Sequence, residues 1–208
     1  MEKDLILIGG GGHCRSVIDA AESAGIAIKG ILDHPELIGT KVLSTSVIGS
    51  DDSISELVEN AAFIVTVGAI SDFSLRVHLH DLVKEAGGDL AKVIASTARV
   101  SPYAEIGEGS VVLHRASINA CAKVGVGCII NTASNIDHDA EIGDYTHVST
   151  GAMVNGEVRI GKRCFIGSGS VIVQGVSICD DAIVPAGVLV HKNITKPGTD
   201  INLLRQLK

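Results

Sequence analysis

The segment "NIDHDAEIGDYTH", residues 135–147, holds two histidines nine residues apart and sets the first, His138, between Asp137 and Asp139. An imidazole with an ordinary pKa of about 6.5 can accept a proton near neutral pH, and a carboxylate beside it fixes its tautomer and stabilises the imidazolium. The same residue types ligate metals when three or four converge. The segment therefore predicts a general base with an acidic partner or a metal site, with an ordinary polar surface as the third alternative.

The composition excludes several classes of function. The chain carries 17 basic and 24 acidic residues, a net charge of −7, so nucleic acid is not an expected partner. Five cysteines without a C-x-x-C pair or a signal peptide favour reduced thiols and a cytoplasmic location. The apolar run "LILIG" is too short to span a bilayer, so no membrane association is expected.

The elements that must position the two histidines follow a repeat. From residue 94 onward Ile or Val occupies every sixth position, seventeen times over 97 residues, and the residue four positions after each of the first sixteen anchors is never larger than valine. The residue after the anchor is often Gly, Asn or Asp, types that tolerate corners and positive φ. Each six-residue unit must stack on the next coil to bury its apolar side, which is typical of a solenoid. The anchors are Ile94, Val100, Ile106, Val112, Ile118, Val124, Ile130, Ile136, Ile142, Val148, Val154, Ile160, Ile166, Ile172, Ile178, Val184 and Val190.

This phase places both histidines outside the repeat's apolar interior. His138 follows the anchor Ile136 by two positions, at a corner, and His147 precedes the anchor Val148 on the outer face. Neither is needed for the core, so we expect both to be exposed. Because they fall on different sides of one coil, a shared metal ion is disfavoured, and we expect no metal. Cys128 and Cys164 occupy small inward positions and are expected to be buried filler.

Residues 1–90 follow a different pattern, in which short apolar runs alternate with helical segments. Strands are predicted at "DLILIGG", "AIKGILD" and "FIVTVG", and helices from His13 to Ala24, from about Asp51 with Asp51 or Asp52 as N-cap, and from about Ser71 to Ala86. This alternation predicts a parallel sheet of three or four strands covered by helices. We therefore expect an α/β Rossmann-like mononucleotide-binding domain.

The hexads "IGDYTH", "IGKRCF" and "IGSGSV" resemble the hexapeptide-repeat acyltransferases. That resemblance implies a left-handed parallel β-helix of three sides and about five coils, stacked about 4.8 Å apart. It sets the expected domains at residues 1–90, 91–194 and a tail at 195–208. The segments "GGGGHCRSVIDA" and "IINTASNIDHDAEIGDYTHVSTGAMVNGEVRIGKRCFIGSGSVI" resemble more closely the sugar O/N-acetyltransferases that include UDP-4-amino-sugar acetyltransferases of bacillosamine synthesis, perosamine N-acetyltransferases and sialic acid O-acetyltransferases.

The closer resemblance implies acetyl-CoA as co-substrate, a nucleotide-activated sugar as acceptor, and a homotrimer with acetyl-CoA between adjacent subunits. It makes His138 the catalytic base and Asp139 its acidic partner. It implies that His147 lines the pocket and approaches His138 of the next subunit, and that the N–H of Gly156 meets the thioester oxyanion. The last coils, around Ser168 and Ala186, would hold coenzyme A, with Lys162, Arg163 and Lys192 available to its phosphates. Asn131 would line the acceptor pocket.

The glycine loop "GGGGH" lies between a strand and a helix and is a candidate phosphate cradle. It does not fit the G-x-G-x-x-G fingerprint, so NAD is disfavoured, and a plain tight turn remains the alternative. The resemblance implies that Gly10, Gly12 and His13 lie near the diphosphate or the sugar of a nucleotide-linked sugar, with Asp33 and Gly68 completing the pocket and Arg76 a weaker candidate.

Two alternatives to an N-acetyltransferase remain open. One is O-acetylation of a sialic-acid-like sugar, and the other is a non-catalytic β-helical scaffold. Direct attack on the thioester is expected rather than a covalent enzyme intermediate, because Cys121, the one thiol considered as a nucleophile, has no activating neighbour in sequence. The end of the chain, "NITKPGTDINLLRQLK", departs from the family's Gly-x-Pro-Ala segment, which puts coenzyme A contacts there in doubt.

Overall fold

The computed structural model describes residues 3–199. The amino-terminal domain is a six-stranded sheet in the order β3-β4-β2-β1-β5-β6, parallel except for the β3–β4 hairpin. Its elements are β1 Asp4–Ile8, α1 Gly12–Ser23, β2 Ile28–Leu32, a 3₁₀ turn Pro35–Leu37, β3 Lys41–Val42, β4 Thr45–Gly49, a 3₁₀ turn Asp51–Ser53, α2 Ile54–Leu57, β5 Ala61–Val65, α3 Ser74–Glu85 and β6 Asp89–Leu90.

The Rossmann-like order predicted for this domain is confirmed, with two corrections. The sheet has six strands rather than three or four. The strands β3 and β6 are two-residue edge strands with no apolar periodicity of their own, and β4 has only two large apolar residues, Val47 and Ile48. The predicted N-cap at Asp51 or Asp52 is wrong, since these residues form a 3₁₀ turn and α2 begins at Ile54 without a side-chain cap.

The rest of the described chain is a left-handed parallel β-helix, as predicted. Strands 18 residues apart pair in parallel, for example Ile136 with Val154. Side 1 holds β7, β10, β13, β16, β19, β22 and β24; side 2 holds β8, β11, β14, β17, β20 and β23; side 3 holds β9, β12, β15, β18 and β21. We name the corners 1–2, 2–3 and 3–1 after the sides they join.

The strands of the β-helix are two or three residues long. They are β7 Val93–Ile94, β8 Arg99–Val100, β9 Glu105–Ile106, β10 Val111–Val112, β11 Ser117–Ile118, β12 Lys123–Val124, β13 Ile129–Ile130, β14 Asn135–Ile136, β15 Glu141–Ile142, β16 His147–Val148, β17 Met153–Val154, β18 Arg159–Ile160, β19 Phe165–Ile166, β20 Val171–Ile172, β21 Ser177–Ile178, β22 Ala182–Val184, β23 Leu189–Val190 and β24 Gly198–Thr199. In the predicted tail, β24 pairs with β22 and so extends side 1, and residues 200–208 lie outside the described part of the chain.

The interior of the β-helix consists of the aliphatic anchors and the small residues four positions after them. Cys128 and Cys164 are fully buried in it, which confirms them as filler. Burial raises the pKa of the Cys128 thiol to about 12 and that of Cys164 to about 11, so both remain protonated thiols at neutral pH. They have no nucleophilic role.

The corners differ from the sequence expectation in one respect. Positive φ falls three residues after the anchor, as at Asp139 (φ 58°), and not at the residue directly after it. The glycine after an anchor is required instead by the stacking of coils. A Cβ on Gly143 would lie 2.6 Å from the carbonyl carbon of Gly161 in the next coil. Close approach of backbones, rather than left-handed geometry, explains these glycines.

The amino-terminal domain packs on the outer face of side 1. Val93 and Val111 on side 1 share a buried apolar cluster with Leu7 of β1 and with Val17 and Ile18 of α1. The outer face of side 1 is therefore a domain interface, whereas Met153 on side 2 and Glu141 on side 3 are exposed. Among residues 3–199, no helix is long and apolar enough to cross a membrane.

Candidate active site

His138 and Asp139 form a hydrogen-bonded pair at corner 2–3. The His138 Nδ1 lies 2.8 Å from Asp139 Oδ2, and 51% and 57% of the two side chains are exposed. Asp139 occupies the left-handed corner position of its hexad, a conformation that Asp tolerates better than most residues. The pair matches a base whose Nδ1–H is held by a carboxylate and whose Nε2 is free to accept a proton.

The acidic surroundings favour the imidazolium form of His138. The hydrogen bond that His138 Nδ1–H donates to Asp139 raises the pKa of His138 above 6.5, and the charges of Asp137 and Glu157 act in the same direction. Asp137 also orients the corner, because its Oδ1 accepts the His138 backbone N–H at 2.8 Å and the Asn119 Nδ2–H at 2.9 Å. Sequence reasoning did not single out Asn119 or Glu157, which lie one coil to either side of this corner.

Gly156 lies under the His138 ring, one coil further along. A Cβ on Gly156 would stand 2.7 Å from His138 Cε1 and 2.8 Å from Nε2. Within residues 3–199, the Gly156 N–H donates no backbone hydrogen bond. The ring edge that carries Nε2 therefore lies against the backbone of Gly156, and only a residue without a Cβ leaves room for it.

A surface cavity of about 620 Å³ adjoins this corner. Its lining includes Asp139, Glu157 and Cys121, and it continues over the charged outer residues Lys123 and Arg159 of side 3. Cys121 is an exposed free thiol one coil before Asp139.

His147 is buried, with 8% of the residue exposed, so the expectation of an exposed histidine is wrong. It does point away from the β-helix interior, but on side 1 that direction leads under the amino-terminal domain. Its Nδ1 donates to the Ala69 carbonyl at 2.8 Å, and its Nε2 accepts from Asn131 Nδ2 at 3.0 Å. Its ring also meets Phe165 edge to face.

This environment keeps His147 neutral. Burial is the largest cause that lowers the pKa of His147 below 6.5, and the charge of Arg76 lowers it further. Asn131 completes the chain of bonds by accepting the Thr132 N–H on its Oδ1 at 2.7 Å. His147 and Asn131 therefore link side 1 to the amino-terminal domain, apart from corner 2–3. No cluster of three or more potential metal-ligating residues occurs anywhere between residues 3 and 199.

The predicted nucleotide-sugar residues lie together at the carboxyl ends of β1, β2 and β5. Asp33 Oδ2 accepts the Gly10 N–H at 2.6 Å, which ties the glycine loop to the end of β2. Gly12 is the first residue of α1, whose N-cap Gly11 offers no side-chain cap. A Cβ on Gly68 would come within 3.6 Å of His13 Cβ, so the loop after β5 lies beside that residue.

His13 is partly exposed as a residue, but its ring nitrogen Nε2 is enclosed. Its Nε2 has no hydrogen-bond partner in the part of the chain that the structure covers. Burial, followed by the charges of Arg76 and His147, lowers the pKa of His13 to about 3, so the ring is neutral. A cavity of about 240 Å³ lined by Gly9, Asp33 and Val67 opens beside the same strand ends.

Ser168 and Ala186, which were predicted to hold coenzyme A, lie at a different corner from His138 and Gly156 within one chain. Ser168 lies at corner 1–2, where its Oγ is 2.9 Å from Ser149 Oγ, and Ala186 follows one coil later at the same corner. Lys162 forms a salt bridge with Asp144, and Arg163 forms one with Asp181. Lys192 is exposed. One chain therefore presents two separate groups, one at corner 2–3 and one at corner 1–2.

Two residues with clear structural roles had weak or no sequence signals. The Ala69 carbonyl, which fixes His147, has none, because it acts through its backbone. Arg76 is buried on the same face of α3 as Leu79 and Val83. Its i, i+3, i+7 spacing with them is the pattern that marks it as an inward-facing residue.

Comparison with known proteins agrees with this architecture. Residues 4–82 match the family described as the PglD N-terminal domain, and residues 157–192 match the hexapeptide repeat of succinyl-transferase. The comparison with curated proteins gave no significant match.

Several solved structures are similar to nearly the whole chain. The acetyltransferase domain of PglB from Neisseria gonorrhoeae is 30% identical, with a TM-score of 0.87 over 95% of this chain and 96% of that one, and it has also been solved with acetyl coenzyme A. A perosamine N-acetyltransferase from Caulobacter crescentus, with one histidine replaced by asparagine and in complex with CoA and GDP-perosamine, is 30% identical, with a TM-score of 0.86 over 96% and 92% of the two chains.

WeeI from Acinetobacter baumannii, at 24% identity, covers 90% of this chain and 96% of its own with a TM-score of 0.71, which shows the shared fold. The first two structures, at 30% identity over almost full length, show more than the fold. The chain belongs to the family of hexapeptide-repeat sugar acetyltransferases that includes the acetyltransferase domain of PglB and perosamine N-acetyltransferase.

Proposed function

We propose that the protein transfers the acetyl group of acetyl-CoA to the amine of a nucleotide-linked amino sugar. The observation that carries this proposal is the geometry of corner 2–3, where the His138–Asp139 pair presents Nε2 beside Gly156. Two relatives support it, since PglB has been solved with acetyl coenzyme A and perosamine N-acetyltransferase with CoA and GDP-perosamine.

The proposed mechanism is direct attack. Asp139 holds the Nδ1–H of His138, and Nε2 takes the proton that the sugar amine loses as its nitrogen forms a bond with the thioester carbon. The Gly156 N–H donates to the oxygen that gains negative charge in the tetrahedral intermediate. When the carbon–sulfur bond breaks, the His138 imidazolium returns the proton to the departing sulfur. No enzyme thiol takes part, which fits the buried states of Cys128 and Cys164.

We further propose that the active enzyme is a homotrimer. Corner 1–2, with Ser168 and Ala186, and corner 2–3, with His138, are separate in one chain. A neighbouring β-helix would bring corner 1–2 of one subunit toward corner 2–3 of the next and so form the acetyl-CoA site from two chains. Light scattering on the purified protein measures the subunit number, and a monomer with full activity would contradict this arrangement.

The acceptor site is proposed at the glycine loop. The free N-terminus of α1 favours a diphosphate, and Gly10, His13, Asp33 and Gly68 surround it. A UDP-linked 4-amino sugar is the proposed acceptor.

The test is a panel of UDP-amino sugars, GDP-perosamine and CMP-sialic acid, each incubated with acetyl-CoA and the protein while free thiol is measured. Thiol release with an amino sugar supports N-acetylation, and the accepted nucleotide decides whether the UDP assignment is right. Release with CMP-sialic acid alone would instead identify an O-acetyltransferase. A well-folded protein that releases no thiol with any of these acceptors would contradict the proposed activity and favour a scaffold.

A further inference from the structure

The β5–α3 loop, residues 66–73, lies between the glycine loop and side 1 of the β-helix and contacts both. Toward the glycine loop, Thr66 Oγ1 donates to the Ile8 carbonyl at 2.9 Å and also contacts the Gly9 carbonyl. A Cβ on Gly9 would lie 2.6 Å from Val67 Cγ2, so the two loops are in close contact. Toward side 1, the Ala69 carbonyl accepts the His147 Nδ1–H. The position of this loop therefore affects both the glycine loop and side 1.

Arg76 is the side chain that ties this loop to the β-helix. Its Nη1 donates to the carbonyls of Val65 and Val67, both at 2.8 Å, and its Nε donates to the Gly127 carbonyl at 2.9 Å, in the corner that precedes β13. The side chain is fully buried, with 1% of the residue exposed. One planar guanidinium thus joins the end of β5 and the loop after it to the other domain.

Arg76 has an unusual environment for a buried charge. No carboxylate pairs with it, and its Nη2 has no hydrogen-bond partner within residues 3–199. Burial lowers the pKa of Arg76 to about 10, which still leaves it charged at neutral pH. A buried unpaired charge costs free energy that an apolar side chain would not cost, so packing alone does not account for an arginine here.

We propose that Arg76 is a positioning residue for the acceptor half of the site, which rests on the function proposed above. By joining Val65 and Val67 to Gly127, it fixes the β5–α3 loop, and with it Gly68 beside His13 and the Ala69 carbonyl on His147. It does not act on corner 2–3, where His138 and Gly156 lie. Replacing Arg76 should therefore change the kinetic constants for the nucleotide-linked sugar and leave the KM for acetyl-CoA unchanged.

Arg76→Lys is the direct test, because lysine keeps the charge but cannot reproduce the planar fork that spans three carbonyls. With the accepted nucleotide sugar as variable substrate, we expect kcat/KM to fall about 10- to 100-fold, since a displacement of about 1 Å in a positioned site has effects of this size. The KM for acetyl-CoA should stay within about twofold of the wild-type value. Arg99→Lys, at an exposed arginine on side 2, is the matched control and should change neither.

Thr66→Val provides a second test if Arg76→Lys does not fold. It removes the bonds from the same loop to the carbonyls of Ile8 and Gly9 without exposing a charge, and it should raise the KM for the nucleotide sugar in the same selective way. A fall in thermal stability with unchanged KM for the sugar, or equal changes for both substrates, would overturn the positioning role. Failure of the proposed function gives a different result, because the wild-type protein itself would then release no thiol with any acceptor. Failure of the positioning role alone would leave an active wild-type enzyme whose variants show no selective change in the KM for the nucleotide sugar.

Discussion

His138 and His147 are nine residues apart, half of one 18-residue coil of the β-helix, yet they have opposite environments. His138 is half exposed, pairs with a carboxylate, and has a raised pKa. His147 is buried, bonds to a carbonyl and an amide, and has a lowered pKa. The first is suited to accept and return a proton, and the second to hold two domains together. The difference arises from which side of the coil each residue occupies and from what covers that side.

Replacing His138 by Asn gives the largest expected effect of this comparison. Without the imidazole, only the more weakly basic carboxylates of Asp137, Asp139 and Glu157 remain at corner 2–3, and a general base contributes about 10²- to 10⁴-fold to rate. We expect kcat to fall by about 10³-fold in the thiol-release assay, with the melting temperature unchanged because the side chain is exposed.

His78→Asn is the control for that experiment, since His78 is an exposed histidine on α3 outside both regions. It should retain wild-type activity. If His138→Asn kept more than about a tenth of the wild-type kcat, His138 would not be the base. The proposal that His138 has a catalytic role and His147 a structural one would then be wrong.

The Gly156→Ala substitution tests whether the ring position at corner 2–3 matters. Gly156 does not have positive φ, so alanine causes no backbone strain, but its Cβ would overlap His138 Cε1 and Nε2 and turn the ring away. We expect kcat to fall about 10- to 100-fold, while acetyl-CoA binding measured by calorimetry changes little. Unchanged kcat would show that the ring can move without cost and that Gly156 does not constrain it.

The control for this experiment is Ala120→Gly, one coil before His138. Gly151→Ala is not a suitable control, because Gly151 has positive φ and alanine there would strain the backbone.

The sequence predicted the β-helix and corner 2–3 well, for a physical reason. A period of six fixes the phase of every residue, so Ile136 as an anchor places His138 and Asp139 at a corner and Gly156 one coil later. The sequence also predicted that His147 points outward. It could not predict that His147 is covered, because contact between two domains depends on residues far apart in the chain, such as Ala69. The two-residue strands β3 and β6 were missed for a similar reason, since neighbouring strands rather than their own periodicity define them. The five-residue strand β4 was missed because three of its residues are Thr, Ser and Gly.

Asp139→Asn separates the electrostatic role of the pair from its geometry. Asp139 is the largest cause of the raised pKa of His138, and the base must be neutral to accept a proton. In the wild-type protein, kcat/KM should therefore decline as the pH falls through a value above 6.5. In the variant the pKa of His138 falls, so this decline should move to lower pH, while the maximum drops about tenfold because the imidazolium is no longer stabilised. A pH profile of kcat/KM for both proteins measures the shift, and coincident acid limbs would contradict the assignment.

His147 gives the smallest expected effect, and it concerns stability rather than rate. Because its pKa is lowered in the folded protein, the unfolded chain binds a proton that the folded chain does not, and stability decreases as the pH falls below about 6.5. Burial acts in the same direction on His13 and His80, whose pKa values fall to about 3 and about 4.

Each such histidine contributes at most about 1.4 kcal/mol of unfolding free energy per pH unit. The variant His147→Gln should therefore lose less unfolding free energy than the wild-type protein between pH 7 and pH 5, measured by urea denaturation. At pH 7 the same variant should be less stable by about 1–2 kcal/mol, because the bonds to Ala69 and Asn131 are weakened. A His138→Gln variant titrated alongside should show no gain in acid stability, since its parent pKa is raised; an equal response in the two variants would mean that burial under the amino-terminal domain does not distinguish the two histidines.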